Sequence, residues 1–372
     1  MYKKVVLFTL QTFSTTGGIQ KMTRTLGHAL HKVAQTNNWD FELWSAYDSP
    51  GTLMPEYLPA KNFKGFGTNK LAFALKAIRS SLKFNVIILS HINLASVGMI
   101  IKLLNPGCKV WLIAHGIEVW RPLSSTKKQF LKRCDKIICV SNYTQQQMIK
   151  WHKVDKSVCQ VLNNAIDPFM KLPECFTKPQ HLIDRYQLNN NYPIIFTLTR
   201  MASTEKYKGY EQVINAVSRL KSTFPRIKYV LSGQYDQLEQ ARISKLLVDY
   251  DLTEQVILTG FIKETELADH FLMADLFVLP SKKEGFGIVF IEALALGLPV
   301  ICGNADGSID AIRNGELGKG VNADDADELF NCIVACLATP LTALKRKELQ
   351  DRCIMHFNET DYINKLQLLL TE

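Results

Sequence analysis

The stretch "DLFVLPSKKEGFGIVFIEALALGLPVICG", residues 275–303, carries the pattern that decides the fold. It opens with a short apolar run (275–281), continues through a glycine-containing loop and a helix-forming run, and closes on a second apolar run (298–303). Continuous apolar runs on both sides of a helix are typical of parallel strands whose sheet is covered on both faces. The stretch therefore predicts a strand–loop–helix–strand unit, with the helix ending near Gly297 and Pro299.

The same alternation of apolar strands and helical patterns occurs in two series. In the first, a strand at 3–10 precedes a helical pattern at 19–33, and further strands are predicted at 85–91, 109–115 and 136–141. In the second, strands are predicted at 192–200, 228–233, 255–260, 275–281 and 298–303, with helices at 210–224, 238–250 and 265–274. We therefore predict an α/β protein of two doubly wound, Rossmann-like domains that face each other across a cleft.

The boundary between the two series lies where periodicity fails. "NNAIDPFMKLPECFTKPQ" (163–180) holds three prolines and no helical or strand pattern. We predict a first domain over 1–168, a linker over 169–190, a second domain over 191–355 and a final segment over 356–372.

Composition narrows the class of protein. The 372 residues are 47% hydrophobic, which suits about two globular domains. None of the nine cysteines forms a C-x-x-C pair, which disfavours a disulfide framework or a zinc site and favours a reducing cytoplasm. The first apolar run is too short for a signal peptide, and the run at 84–104 is broken by polar residues, so we expect a strand and a helix there rather than a membrane span.

Charge is distributed unevenly. Residues 1–170 hold 22 Lys and Arg against 8 Asp and Glu, whereas residues 171–372 hold 22 against 27. A basic half suits an anionic partner such as a membrane surface, a phosphorylated acceptor or nucleic acid, although solvated lysines without a partner would give the same count. Nucleic acid is not an expected partner, because the basic half lacks the aromatic and basic interleaving of a known module.

Two loops of the first domain are candidates for ligand contact. Gly17 and Gly18 follow a strand and begin a helix, where glycine allows a close approach and helix amides attract anions. His115 ends another strand and precedes a glycine. An ordinary turn and a core or capping histidine are the alternatives. The glycines do not form G-x-G-x-x-G, which lowers the odds of an NAD enzyme.

Cations gather at the start of the second domain. Arg200 comes just after a strand, and Lys206 and Lys208 come just before a helix. An arginine fork and a lysine point charge together can clamp a diphosphate, although a solvated loop would also carry such residues.

Two glutamates frame the helix of the opening stretch. Glu284 lies in the loop before the helix, and Glu292 lies inside it, so the amides of Gly287, Ile288 and Val289 fall between two carboxylates. Amides hold an anion and carboxylates accept hydroxyls, so the spacing suits a ligand with charge in its middle and hydroxyls at both ends. A nucleotide diphosphate sugar has this form. The alternative is a surface Glu284 and a Glu292 paired in the core, where burial would be costly.

These residues resemble a known family. Glu284 and Glu292 match the E-x7-E signature of retaining glycosyltransferases of family 4, which have the two-domain GT-B fold. Arg200 and a Lys208 followed by glycine match its basic pair, and the "GGIQ" loop and the "AHG" with His115 match as well. The resemblance covers nearly the whole chain. It implies that residues 356–372 cross back onto the first domain.

Three departures accompany the resemblance. The usual "PNGID" is replaced by "NNAID" at 163–167, and the loop at 303–312 is "GNADGSIDAI" where many members have Gly-Gly-x-x-Glu. The interval from Arg200 to Lys208 is long, so Lys206 stays a competing candidate for the second cation.

The resemblance implies transfer of a hexose, with retained configuration, from a UDP-sugar or GDP-mannose to a glycan, lipid-linked or polysaccharide acceptor in cell-envelope glycan biosynthesis. The donor is a co-substrate, and no cofactor or metal is expected, because no strand-borne D-x-D is present. In this scheme Arg200 and Lys208 offset the charge of the leaving diphosphate, Glu284 orients the sugar, His115 contacts it, and Ile262 lies near the base. A basic first domain would make the protein peripheral on the inner face of the membrane.

Other functions remain open on the sequence alone. A nucleotide-sugar epimerase or a phosphorylase would share the two-domain plan. A catalytically inactive scaffold would also share it, but such a protein should lack the charged residues, which are present here.

Overall fold

The computed structural model describes residues 2–371, which form two compact units. The first unit runs to Phe169 and resumes at Phe357, and the second is Met170–His356. Within the described residues no helix is both long enough and apolar enough to cross a membrane.

The first unit contains a parallel sheet of seven strands in the order β3-β2-β1-β4-β5-β6-β7. The strands are β1 (Lys4–Thr9), β2 (Asp40–Ser45), β3 (Phe63–Gly65), β4 (Val86–Leu89), β5 (Lys109–Ala114), β6 (Lys136–Cys139) and β7 (Cys159–Val161). The helices are α1 (Gly18–Asn37), α2 (Lys70–Ser80), α3 (Ala95–Leu104), α4 (Ser125–Leu131) and α5 (Asn142–His152).

The second unit contains a parallel sheet of six strands in the order β10-β9-β8-β11-β12-β13. Its strands are β8 (Ile194–Leu198), β9 (Lys228–Ser232), β10 (Val256–Gly260), β11 (Leu276–Leu279), β12 (Val300–Gly303) and β13 (Lys319–Val321). Its helices are α6 (Gln180–Arg185), α7 (Tyr210–Leu220), α8 (Gln237–Asp249), α9 (Leu267–Met273), α10 (Ile288–Ala295), α11 (Ser308–Ala311) and α12 (Ala326–Ala338), and α13 (Ala343–Phe357) and α14 (Glu359–Thr371) close the chain.

The prediction of two doubly wound α/β sheets is confirmed. The central strands are buried along their whole length, as β4 (all four residues) and β11 (all four residues) illustrate, because helices cover both faces. In each sheet the strand order reverses once, between β1 and β4 in the first and between β8 and β11 in the second. Ligands of such sheets bind at the carboxyl ends of the strands that flank the reversal.

Four strands were not among the predicted ones: β2, β3, β7 and β13. The last three have only three residues each, too few for a pattern, and β2 carries the acidic Asp40 and Glu42 within its apolar residues.

The segment predicted as a linker, 169–190, contains the helix α6. Leu182 and Ile183 are buried there, and Arg185 pairs with Glu266 at 2.8 Å. These contacts hold α6 on the second unit.

The final helix belongs to the first unit. It packs against α1, where His28 Nε2 lies 3.3 Å from Glu359 Oε1, and Lys136 Nζ donates to the carbonyl oxygen of Leu369 at 2.8 Å. The backbone amide of Ile166 donates to the carbonyl of Phe357 at 2.9 Å, which fastens the returning chain at its entry point.

Candidate functional site

The candidate site of the second unit lies at the reversal of its sheet. Arg200 follows β8 by two residues, and Glu284 stands in the loop between β11 and α10. Because β8 and β11 are paired neighbours, both loops leave the same edge of the sheet.

Lys208 and Glu284 form the ion pair at the centre of this site. Lys208 Nζ lies 2.7 Å from Glu284 Oε1, and each side chain is 16% exposed. Burial lowers the pKa of Lys208, but the Glu284 carboxylate outweighs it, so the pKa of Lys208 is raised overall and the ammonium stays charged. Lys206 is exposed and has no ion pair among those of the described chain, so the geometry favours Lys208 as the second cation.

Local backbone geometry holds Lys208 in this place. Gly209 has a φ of 85°, and a Cβ at this position would lie 2.4 Å from the carbonyl oxygen of Pro280. The amide of Lys282 donates to the carbonyl of Tyr207 at 2.9 Å. Only glycine allows the loop before α7 to lie this close to the end of β11.

Arg200 is paired inside its own loop. Its Nε lies 3.0 Å from Glu205 Oε2, and its Nη2 donates to the other carboxylate oxygen. Burial raises the pKa of Glu205, but the Arg200 guanidinium outweighs burial, so the Glu205 pKa is lowered. The Arg200 side chain is 67% exposed, so its fork is open to exchange one anion for another. Sequence analysis did not single out Glu205.

Asp306 is a second residue that sequence analysis missed. It is buried, and its carboxylate accepts from the amide of Glu284 at 2.6 Å and from the amide of Ser308 at 2.9 Å. Burial first, and the Glu284 charge second, raise the pKa of Asp306 to about 7. The amide of Gly307 donates back to the Glu284 carbonyl at 2.8 Å. The loop that contains "ADGS", which differs from the pattern of many family members, therefore fixes the backbone of Glu284.

The amino end of α10 completes this side of the site. Gly287 precedes the helix with a φ of 79° and no side-chain cap, and Ile288 and Val289 are its first two residues. Glu292 is buried on the next turn, at 4% exposure. Ile262 follows β10 and is also buried.

In the first unit, Gly17 and Gly18 lie where the sequence predicted them. Gly17 is extended, with a φ of −176°, and Gly18 is the first residue of α1. The amides of these residues lie at the carboxyl end of β1, beside the reversal of that sheet.

A buried acid and a buried arginine shape the loop before Gly17. Asp48 accepts from the amides of Thr12 at 2.7 Å and Ser14 at 2.9 Å. Arg24 donates to the carbonyls of Thr12 at 2.9 Å and Thr15 at 2.8 Å. No pattern in the sequence marks either residue, because each binds backbone atoms of the loop before Gly17.

His115 lies at the carboxyl end of β5 and is neutral near pH 7. Burial lowers its pKa to about 4. Its Nε2 lies 2.8 Å from the carbonyl oxygen of Ser90, which can only accept, so Nε2 carries the proton and Nδ1 is the acceptor. Its amide donates to Glu118 Oε1 at 2.6 Å, which fixes the turn.

Arg200, Lys208, Glu284 and the start of α10 thus meet at one edge of the second sheet, and Gly17, Gly18 and His115 lie at the corresponding edge of the first. Among residues 2–371 no group of three or more His, Cys, Asp or Glu is placed to hold a metal ion.

Two doubly wound units in one chain, with cations and helix amides at the reversal of the second sheet, define the class of GT-B glycosyltransferases. The family model described as "Glycosyl transferases group 1" matches residues 180–353, and that described as "Glycosyltransferase Family 4" matches residues 16–168. The two models together span most of the chain, so the chain belongs to the glycosyltransferase family that they describe.

Curated relatives include transferases of two kinds. A GDP-mannose-dependent alpha-(1-6)-phosphatidylinositol monomannoside mannosyltransferase of Mycolicibacterium smegmatis is 27% identical over 62% of this chain and 61% of its own length. The glycogen synthase of Mycobacterium tuberculosis is 32% identical over 38% of this chain and 34% of its own length. The chain thus matches about three fifths of the first relative and a third of the second.

Solved structures share the fold over the whole chain. HepE of Anabaena, in complex with UDP, has a TM-score of 0.77 at 18% identity, with 99% of each chain covered. The sucrose-phosphate synthase of Thermosynechococcus elongatus has a TM-score of 0.75 at 22% identity, covering 99% of this chain and 98% of its own.

Proposed function

We propose that the protein is a retaining glycosyltransferase that moves a hexose from a UDP-sugar or GDP-mannose to a hydroxyl of a glycan, lipid-linked or polysaccharide acceptor. The observation that carries this proposal is the Lys208–Glu284 pair beside the amino end of α10, at the reversal of the second sheet. A cation and a carboxylate in contact suit a ligand whose phosphate and sugar hydroxyls are neighbours.

The donor would lie along this edge in three parts. Its diphosphate takes Lys208, Arg200 and the amides of Gly287, Ile288 and Val289, which together supply positive charge and donors. Its sugar hydroxyls donate to Glu284. Its ribose hydroxyls donate to Glu292, and its base lies near Ile262. Diphosphate binding displaces the Glu205 carboxylate from the Arg200 fork, since both need the same donors.

The reaction follows from this arrangement. The bond between the anomeric carbon and the phosphate oxygen breaks as the acceptor oxygen bonds to the same face of that carbon. The acceptor proton passes to an oxygen of the leaving phosphate. Negative charge grows on the diphosphate, and Arg200, Lys208 and the α10 amides stabilise it. We expect no requirement for a metal ion, because these groups supply the positive charge.

His115 would contribute as a neutral group. With Nε2 bonded to Ser90, Nδ1 accepts a hydrogen bond from a sugar hydroxyl. Gly17 and Gly18 would approach the diphosphate when the enzyme closes.

Similar proteins support two donor nucleotides. The Mycolicibacterium relative is GDP-mannose-dependent, and HepE was solved with UDP. We place the reaction in cell-envelope glycan biosynthesis, on the cytoplasmic side of a membrane, with the basic first unit toward an anionic surface.

A panel of UDP- and GDP-sugars tests the donor. A good donor raises the melting temperature by mass action. At a hundred times its dissociation constant, it adds about 2.7 kcal/mol to the free energy of unfolding. Proton NMR of the product then gives the anomeric configuration, which we expect to match that of the donor. Inverted product, epimerised donor without an acceptor, or no stabilisation by any sugar nucleotide would contradict the proposal.

A further inference from the structure

We propose that the outer face of α2 and α3 in the first unit docks on an anionic lipid surface. This α2–α3 face consists of the exposed Leu71, Leu75, Leu82, Ile100, Leu103 and Leu104, with the cations around them. The inference deepens the membrane part of the proposed function, and it does not rest on the chemistry of sugar transfer.

The apolar part of the face comes from one segment of the sequence, residues 71–104. The six side chains are between 41% and 76% exposed. Leu71 and Leu75 are one helical turn apart on α2, and Leu82 follows the end of that helix. Single exposed leucines are ordinary on a protein surface, whereas six within 34 residues of two adjacent helices form a patch.

The two helices are held side by side. They contact each other, and Asn105 Nδ2 donates to the carbonyl oxygen of Ser81 at 3.1 Å, which joins their carboxyl ends. Phe73 and Ala77 of α2 and Ile101 of α3 are buried in the core of the unit. The helices are therefore anchored on one side and present leucines on the other.

The sequence segment that carries the face is basic, and three of its lysines pair with acids that lie outside it. Residues 57–117 hold eight Lys and Arg and no Asp or Glu. Four of these cations are exposed on or beside α2: Lys70, Lys76, Arg79 and Lys83. No acid within this segment offsets them.

Exposed leucines beside exposed cations favour an anionic bilayer over a second copy of the chain as the partner of this face. A second copy of the chain docked on the same face about a two-fold axis would bring Lys76, Arg79 and Lys83 of both copies together, and like charges repel. An anionic bilayer supplies both needs, because its headgroups attract the cations and its acyl boundary accepts the leucines.

Vesicle sedimentation tests the docking, with the full chain and with vesicles of phosphatidylglycerol and phosphatidylcholine or of phosphatidylcholine alone. The combined variant Leu71→Gln, Leu75→Gln and Leu103→Gln should partition at least about tenfold more weakly onto the mixed vesicles. The matched control changes three equally exposed leucines elsewhere, Leu238→Gln, Leu344→Gln and Leu368→Gln, and should bind as the wild type does.

A charge variant separates attraction from insertion. We expect the combined change Lys76→Gln, Arg79→Gln and Lys83→Gln to weaken binding by about fivefold for each cation at low salt. The difference from wild type should shrink as salt rises, because exposed charges are screened.

Three outcomes would overturn the inference. The wild type could fail to bind mixed vesicles, or the leucine variant could bind them as well as the control does. The wild type could also form a dimer that the leucine variant alone does not form. Stabilisation by the best sugar nucleotide is measured on every variant and should be unchanged. A failure of docking is thereby distinguished from a failure of donor binding.

Discussion

The charged side chains at the carboxyl edges of the two sheets differ in burial and in the groups that they bind. In the first unit the charged Asp48 and Arg24 are buried and bind backbone atoms, and His115 is neutral. In the second unit Arg200 is 67% exposed and Lys208 is 16% exposed, and each pairs with a carboxylate. Two sheets that share the same order over six strands therefore carry different loops, and in our proposal the diphosphate binds the cations of the second.

The largest expected effect comes from changing the charged groups at the edge of the second sheet. Arg200→Ala or Glu284→Gln should lower kcat for transfer by about 10²–10³-fold or more, because each removes a group that we propose contacts the donor. Lys206→Ala, a nearby exposed lysine, is the matched control and should keep wild-type turnover. Wild-type turnover by either site variant, with melting temperature unchanged, would rule out the assignment.

In the first unit, the expected effect of removing charge is on stability instead. Asp48→Ala leaves the buried amides of Thr12 and Phe13 without an acceptor and should lower the free energy of unfolding by about 3 kcal/mol. All five tryptophans lie in this unit, so their fluorescence in urea reports its unfolding. Glu56→Ala, an exposed acid, should change nothing. Equal midpoints for the two variants would show that Asp48 does not hold the loop.

His115 makes the pH response of the first unit a further test. Its pKa is lowered from 6.5 to about 4, so its contribution to stability is complete above pH 6.5 and is lost as pH falls toward 4. The loss is on the order of 3 kcal/mol. His115→Gln should flatten the fall in tryptophan-detected stability between pH 7 and 4.5. His91 is shifted in the same direction, so the difference between the two proteins is the measure.

The smallest expected effect concerns Glu205. If Glu205 competes with the diphosphate for the Arg200 fork, Glu205→Gln should tighten UDP or GDP binding by a few-fold in calorimetry. Asp324→Asn, which weakens the exposed pair with Lys282, is the control. Weaker nucleotide binding by Glu205→Gln would mean that Glu205 orients Arg200 instead of blocking it.

The strands of the sheets and the charged residues after them could be predicted from the sequence, but the residues that hold those charged residues and their loops in place could not. The long buried strands and the helix α10 were predictable from apolar runs, and so was the position of Arg200, Lys208 and Glu284 after strands of the second domain. What these residues bind stays a prediction. Glu205 was not singled out, although it pairs with Arg200 only five residues away.

Asp48 and Asp306 could not be predicted for a different reason. Asp48 holds the amide of Thr12, 36 residues away, and Asp306 holds the amide of Glu284, 22 residues away. No side-chain pattern marks an acceptor of amides. The choice between Lys206 and Lys208 also needed the fold, because the turn at Gly209 decides which lysine faces Glu284.

Hydrogen–deuterium exchange with and without UDP-glucose or GDP-mannose tests most directly that the second unit holds the donor. With whichever of the two raises the melting temperature, we predict slower exchange at residues 200–209 and 281–289 and no change at residues 237–249 in α8. A sugar nucleotide that stabilises the protein while leaving exchange at 200–209 and 281–289 unaltered would contradict the account.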